Sequence, residues 1–137
     1  MTLRSSTTRV LVVEDHDDTR AAVALALSRA GFTVTETADG QAAFERLLID
    51  EELPLMIVLD LELPVMSGWE FLELVRSYSR LAAIPVIVVS GRESPAAVLD
   101  ATSPTTYMKK PLDPDALVAF ANSLTNPDSS GRWRIAP

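Results

Sequence analysis

Asp60 stands directly after an uninterrupted apolar run, Leu55-Met56-Ile57-Val58-Leu59, and Glu14 and Asp15 stand directly after a second, Val10-Leu11-Val12-Val13. If both runs are buried parallel strands, their carboxyl ends lie side by side and three carboxylates crowd one edge of the sheet. Like charges that close repel strongly unless a divalent cation lies among them, so the pattern predicts a Mg²⁺ site built from hard oxygen donors. Two further residue types close later apolar runs: the hydroxyl of Ser90, and an ammonium from the pair Lys109-Lys110. Together these groups suit phosphoryl transfer. Asp60 can attack phosphorus in line to give an acyl phosphate, while a metal ion, the Ser90 hydroxyl and a lysine such as Lys110 neutralise phosphate oxygens. Side chains alternate across a strand, so only one of the two lysines can share the pocket.

Such a constellation needs a frame that gathers separated strand ends. Short apolar runs alternate with amphipathic segments along the chain, the pattern of repeated strand-helix units and of a parallel sheet covered on both faces. Strands are expected at about residues 9–13, 33–37, 55–59, 85–89 and 106–109. The second alternates polar residues and suits a sheet edge; the third is the most apolar and suits the centre. Helices are expected over 17–29, with Asp17 or Asp18 as N-cap and Gly31 as stop, from Asp39-Gly40 to a point before Pro54, and over 69–78. A fourth opens at Ser94-Pro95 and is cut short by Ser103-Pro104, and a last one opens at Asp113-Pro114. Residues 1–8 read as a flexible N-terminal segment, 9–125 as one domain and 126–137 as a flexible tail. In an open parallel sheet the ligand crevice lies outside the carboxyl ends of the strands, which is where Glu14, Asp15, Asp60, Ser90 and Lys110 fall.

Composition narrows the chemistry further. A chain of 137 residues suits one domain with a real core, and 47% hydrophobic with 23% charged residues is the balance of a soluble globular protein. The absence of cysteine excludes disulfides, thiolate metal sites and cysteine nucleophiles, and His16, the single histidine, is all that a histidine triad or a zinc site could draw on. A net charge of −7 without a basic stripe argues against nucleic acid as a partner. The apolar runs are too short to cross a membrane, and no apolar segment follows Arg4 to make a signal peptide, so a cytoplasmic location is expected.

These separated motifs resemble the receiver domain of two-component response regulators over about residues 9–125. Val12-Val13-Glu14-Asp15 matches the acid pair, residues 60–68 from Asp60 to Gly68 match the phosphoacceptor loop, Ser90 matches the Ser/Thr position, and Tyr107-Met108-Lys109-Lys110-Pro111 matches the aromatic and the lysine-proline of that family. The resemblance implies a three-layer, doubly wound, flavodoxin-like α/β fold with five parallel strands in the order 2-1-3-4-5. It implies phosphotransfer to Asp60 from a phosphohistidine of a sensor histidine kinase or a histidine phosphotransfer protein, with Mg²⁺ held by Glu14, Asp15, Asp60 and the backbone carbonyl of Glu62. It selects Lys110 over Lys109. It also implies a switch in which Ser90 moves inward and Tyr107 changes rotamer, altering contacts with an output protein that the sequence does not name; a homodimer stays open. Such a protein is a signalling switch rather than an enzyme acting on an external substrate.

The chain departs from the family pattern at Gly91, where alanine is common, and at residues 102–106, which lack the usual Gly-Ala turn. Glu62 and Arg92, two past Asp60 and two past Ser90, are expected to pair across the acceptor and hinder an attacking water. Two other readings use the same residues. One keeps the receiver fold as an interaction module without phosphorylation. The other is an aspartyl-phosphate hydrolase with Glu62 as general acid, although the chain offers no cap domain and, on this reading, no room for a substrate pocket.

Overall fold

The two most apolar runs lie side by side at the middle of a five-stranded parallel sheet. In the computed structural model, which describes residues 8–91 and 105–125 together with the backbone of Arg4–Ser5, the strands are β1 (Arg9–Val13), β2 (Thr33–Thr37), β3 (Met56–Asp60), β4 (Val86–Ser90) and β5 (Thr105–Lys109). They pair in the order β2-β1-β3-β4-β5, with Val10 opposite Met56 and Ile57 opposite Val86. This is the expected order, and polar β2 takes an edge as its composition requires. Among the described residues four helices connect and cover the strands: α1 (Asp17–Arg29), α2 (Gly40–Ile49), α3 (Gly68–Ser77) and α4 (Pro114–Thr125). The helix expected from Ser94-Pro95, Arg92 with its expected pairing to Glu62, and the tail from residue 126 lie outside the described residues. A parallel pairing of Arg4–Ser5 with Glu52–Leu53 had no signal in the sequence, because two-residue strands carry no periodicity.

Alternation along the strands builds two cores. Leu11, Val13, Ile57, Leu59, Val86 and Val88 face α2 and α3, packing on Ala43, Leu47, Phe71, Leu72 and Val75. Val10, Val12, Met56, Val58, Ile87 and Val89 face α1 and α4, packing on Val23, Leu27, Leu117, Ala121 and Leu124. Both faces of the central strands are therefore dry, which is why their sequences are continuously apolar rather than alternating.

The ends of the elements differ from expectation by small shifts with clear causes. The N-cap of α1 is His16, not Asp17 or Asp18, although the helix spans the expected 17–29, and the His16 amide donates to Glu14 Oε2 at 3.2 Å. Asp17 and Asp18 then lie in the first turn, where they complement the helix dipole. Gly31 stops α1 at φ +98, a conformation that a side chain would strain. Strands β3 and β4 each run one residue further than expected, since the ladder continues through Asp60 opposite Val89 and through Ser90 opposite Lys109. Helix α3 starts at Gly68, with the Ser67 hydroxyl accepting from the Glu70 amide at 3.2 Å.

Candidate functional site

Parity along the strands decides which polar residues meet. Met56 and Val58 face α1 and α4, so Asp60, two residues on, projects to that same side at the carboxyl edge. Val10 and Val12 do the same for Glu14. Tyr107 belongs to the opposite core and Met108 to this one, so Lys110 joins Asp60 and Glu14 while Lys109 stays exposed. The choice between the two lysines that the strand pattern left open is thereby made by the sheet itself.

The resulting cluster is tight. The Lys110 ammonium lies 3.3 Å from Glu14 Oε1 and 3.3 Å from Asp60 Oδ2. Asp60 and Glu14 are only 3% and 5% exposed, so both carboxylates have lost most of their water. Asp60 Oδ1 accepts from the Glu62 amide at 3.0 Å, and Glu14 Oε2 accepts from the His16 amide. Burial, followed by the neighbouring Asp60 carboxylate, pushes the Glu14 carboxyl above the ordinary glutamate range against the opposing pull of the His16 amide and Lys110. Burial alone would lower the Lys110 ammonium, but Asp60 and Glu14 outweigh it and hold it above the ordinary lysine range. Asp15 is exposed at the rim, and one ligand atom from each of Glu14, Asp15 and His16 falls within 4.8 Å of the others. The donors are hard carboxylate oxygens at adjoining strand ends with a surplus of negative charge, the donor chemistry that suits Mg²⁺.

Ser90 and Tyr107 occupy the other parity. Ser90 is 2% exposed at the end of β4, and the half-buried Tyr107 donates its hydroxyl to the Ser90 carbonyl at 3.4 Å. The same carbonyl accepts from the Lys110 amide at 2.9 Å, so the hydroxyl residue, the aromatic and the lysine are joined through one backbone atom. Glu62 is exposed, its backbone fixed through the bond to Asp60.

Two further residues support the site, and of these Arg20 escaped the sequence reading. Arg20 donates to the Glu14 carbonyl at 2.9 Å and also pairs with Asp17 and Glu36, tying the acid-bearing turn between β1 and α1 to the neighbouring strand β2. Gly68 lies so close to the acceptor strand that a Cβ would collide with the backbone of Asp60 and Leu61. Only the glycine had a signal in the sequence, as part of the loop pattern after Asp60. One expectation is corrected: there is room beside the acceptor. A cavity of about 640 Å³ opens next to Asp60 and Lys110, between α1 and α4, walled by Val12, Val58, Ala22 and Leu117. Most of the wall is aliphatic, with the Lys110 ammonium and the Thr19 hydroxyl as side-chain donors on its lining.

Comparison with known proteins agrees with this geometry. The family model for the response regulator receiver domain matches residues 10–122. The alkaline phosphatase synthesis transcriptional regulatory protein SphR of Synechococcus elongatus is 34% identical over 129 residues, covering 88% of this chain and 49% of that protein. The phosphate regulon transcriptional regulatory protein PhoB of Klebsiella pneumoniae is 35% identical, covering 81% of this chain and 48% of its own length. The chain thus spans about half the length of these curated relatives. Among solved structures, the chemotaxis protein CheY4 of Vibrio cholerae aligns with a TM-score of 0.75 at 27% identity, covering 87% of this chain and 99% of that one. The receiver domain of the Francisella response regulator 1452 aligns with a TM-score of 0.76 at 25% identity, covering 86% and 96%. With the strand order, the buried acids and the lysine between them already in place, the family match leaves one assignment: this chain belongs to the response regulator receiver domains, the phosphorylation-controlled switches of two-component signalling.

Proposed function

We propose that Asp60 is the phosphoacceptor and that its donor is a phosphohistidine on a sensor histidine kinase or a histidine phosphotransfer protein, met in the cytoplasm. An Asp60 carboxylate oxygen attacks phosphorus in line, the P–N bond breaks, and the histidine nitrogen leaves with the bonding pair and takes up a proton. Glu14, Asp15, Asp60 and the backbone carbonyl of Glu62 would hold Mg²⁺, which supplies positive charge to the phosphoryl oxygens. Lys110 lies against the acceptor carboxylate before transfer and neutralises phosphate oxygens after it. The observation that carries this reading is the single ammonium 3.3 Å from each of two buried carboxylates at the ends of adjacent strands.

Parity along the strands supports a switch through Ser90 and Tyr107. Ser90 follows Val86 and Val88 in facing the side opposite Asp60, so on this reading a phosphate on Asp60 draws its hydroxyl across with a shift of the end of β4. That shift moves the Ser90 carbonyl on which the Tyr107 hydroxyl rests, and the aromatic ring responds. Contacts with the output protein change as a result.

The test is tryptophan fluorescence titrated first with Mg²⁺ and then with beryllofluoride, read at Trp69 beside the acceptor loop, together with labelling by acetyl phosphate. The parent is expected to respond to both ligands and to take up one phosphoryl group, and Asp60→Asn to take up none. A parent that stays unlabelled in Mg²⁺ would end the reading in favour of the phosphorylation-independent module, and repeated turnover of an external phosphate ester would favour the hydrolase.

A further inference from the structure

Glu14, Asp15 and His16 form the turn from β1 into α1, and one ligand atom from each side chain lies within 4.8 Å of the other two. The His16 amide, tied to Glu14 Oε2 at 3.2 Å, closes that turn. His16 is also the N-cap of α1, yet its side chain makes no cap bond to the helix amides, so the imidazole is not engaged by the helix end. It is exposed beside Asp15, whereas Glu14 is buried beneath them.

We propose that His16 is a nitrogen ligand of the cation site and determines which ion that site prefers, an inference that rests on the reading of Glu14, Asp15 and Asp60 as metal ligands. Three carboxylates alone describe a hard oxygen site for Mg²⁺. An imidazole beside Glu14 and Asp15 favours borderline divalent ions such as Ni²⁺, Co²⁺ and Zn²⁺, which bind nitrogen well, over Mg²⁺, which binds it poorly. The Irving–Williams order raises the affinity of any such site for Ni²⁺, so tight Ni²⁺ binding by itself distinguishes nothing. The distinguishing quantity is the part of that affinity which depends on residue 16.

The composition makes this measurable, because His16 is the only histidine and there is no cysteine. The experiment titrates the untagged full chain with Ni²⁺ and separately with Mg²⁺ by calorimetry, comparing the parent with His16→Ala and His16→Asn. His16 is exposed, so neither change disturbs the core. Loss of the imidazole is expected to weaken Ni²⁺ about tenfold or more while leaving Mg²⁺ affinity within about twofold. An unchanged Ni²⁺ affinity in His16→Ala, or an equal loss for both ions, overturns the proposal while the Mg²⁺ affinity of the parent leaves the cation site standing. A parent that binds neither ion overturns both.

Discussion

Lys110 neutralises two buried carboxylates at once, so its removal affects more than one contact. Lys110→Met leaves Glu14 and Asp60 facing each other without a cation, and screening by solvent at the partly exposed ammonium holds the loss to about 1–2 kcal/mol. Urea unfolding in metal-free buffer should show that loss, and saturating Mg²⁺ should recover part of it; no loss at all would show that the pair is idle. Glu14 gives the pH signature of the same crowding. Its folded carboxyl is raised by burial and then by Asp60, so the folded state holds the proton more tightly than the unfolded chain. The stability this contributes is fully present below the ordinary glutamate value and is lost as pH rises through the raised value. Metal-free parent is therefore expected to lose stability as pH increases above about 4.5, and Glu14→Gln to show a flatter profile in thermal melts across that window. A parent profile that rises as steeply as that of the variant would contradict the assignment.

The loop between β3 and α3 stores its constraints in two residues. Gly68 donates its amide to the Leu61 carbonyl at 3.1 Å, and any Cβ there would meet the backbone of Asp60 and Leu61, which cannot move without moving the acceptor. Gly68→Ala is expected to cost about 2 kcal/mol and to slow labelling by acetyl phosphate, measured by unfolding and by phosphoryl incorporation. Val65 carries the opposite kind of strain. It is a β-branched residue at φ 67 with 86% of its surface exposed, so its side chain pays for a left-handed backbone without packing in return. Val65→Gly relieves roughly 1–2 kcal/mol of strain and loses about 0.5–1 kcal/mol in chain entropy, a net gain of about 1 kcal/mol that a rise in Tm would register. A fall in Tm would mean that Val65 makes a contact worth more than its strain.

At the scale of the molecule, Arg76 ties α3 to the β4–β5 edge of the sheet. From α3 it donates to the carbonyls of Ala82 and Ile84, each at 3.0 Å, and to Thr105 Oγ1 at 2.9 Å, so one guanidinium fixes both the approach to β4 and the start of β5. Arg76→Met is expected to lower global stability by about 2 kcal/mol in chemical unfolding, and Arg76→Lys to recover only part of it, because an ammonium lacks the planar fork. Full recovery by lysine would reduce the role to charge alone. This contact was invisible in the sequence, as were Arg20 on the Glu14 carbonyl and the short pairing of Arg4–Ser5 with Glu52–Leu53. The central strands, the edge position of β2, Gly31 as the stop of α1 and the acid pair with Asp60 were legible beforehand, since each follows from a run of adjacent residues whose burial or backbone conformation is dictated locally. The N-cap residue of α1 and the space beside Asp60 were not, because one depends on where a Glu14 oxygen finds an amide and the other on how closely α1 and α4 approach. By itself the sequence determined which residue types end each strand and hence that carboxylates, a hydroxyl and an ammonium share one edge. Only the tertiary structure decided that Ser90 and Tyr107 lie on the far side of the sheet from Asp60 and that His16 comes within 4.8 Å of the two acids before it, and it turned Lys110, the lysine the resemblance had selected, toward Asp60, because side-chain parity acquires a direction only once both faces of the sheet are packed.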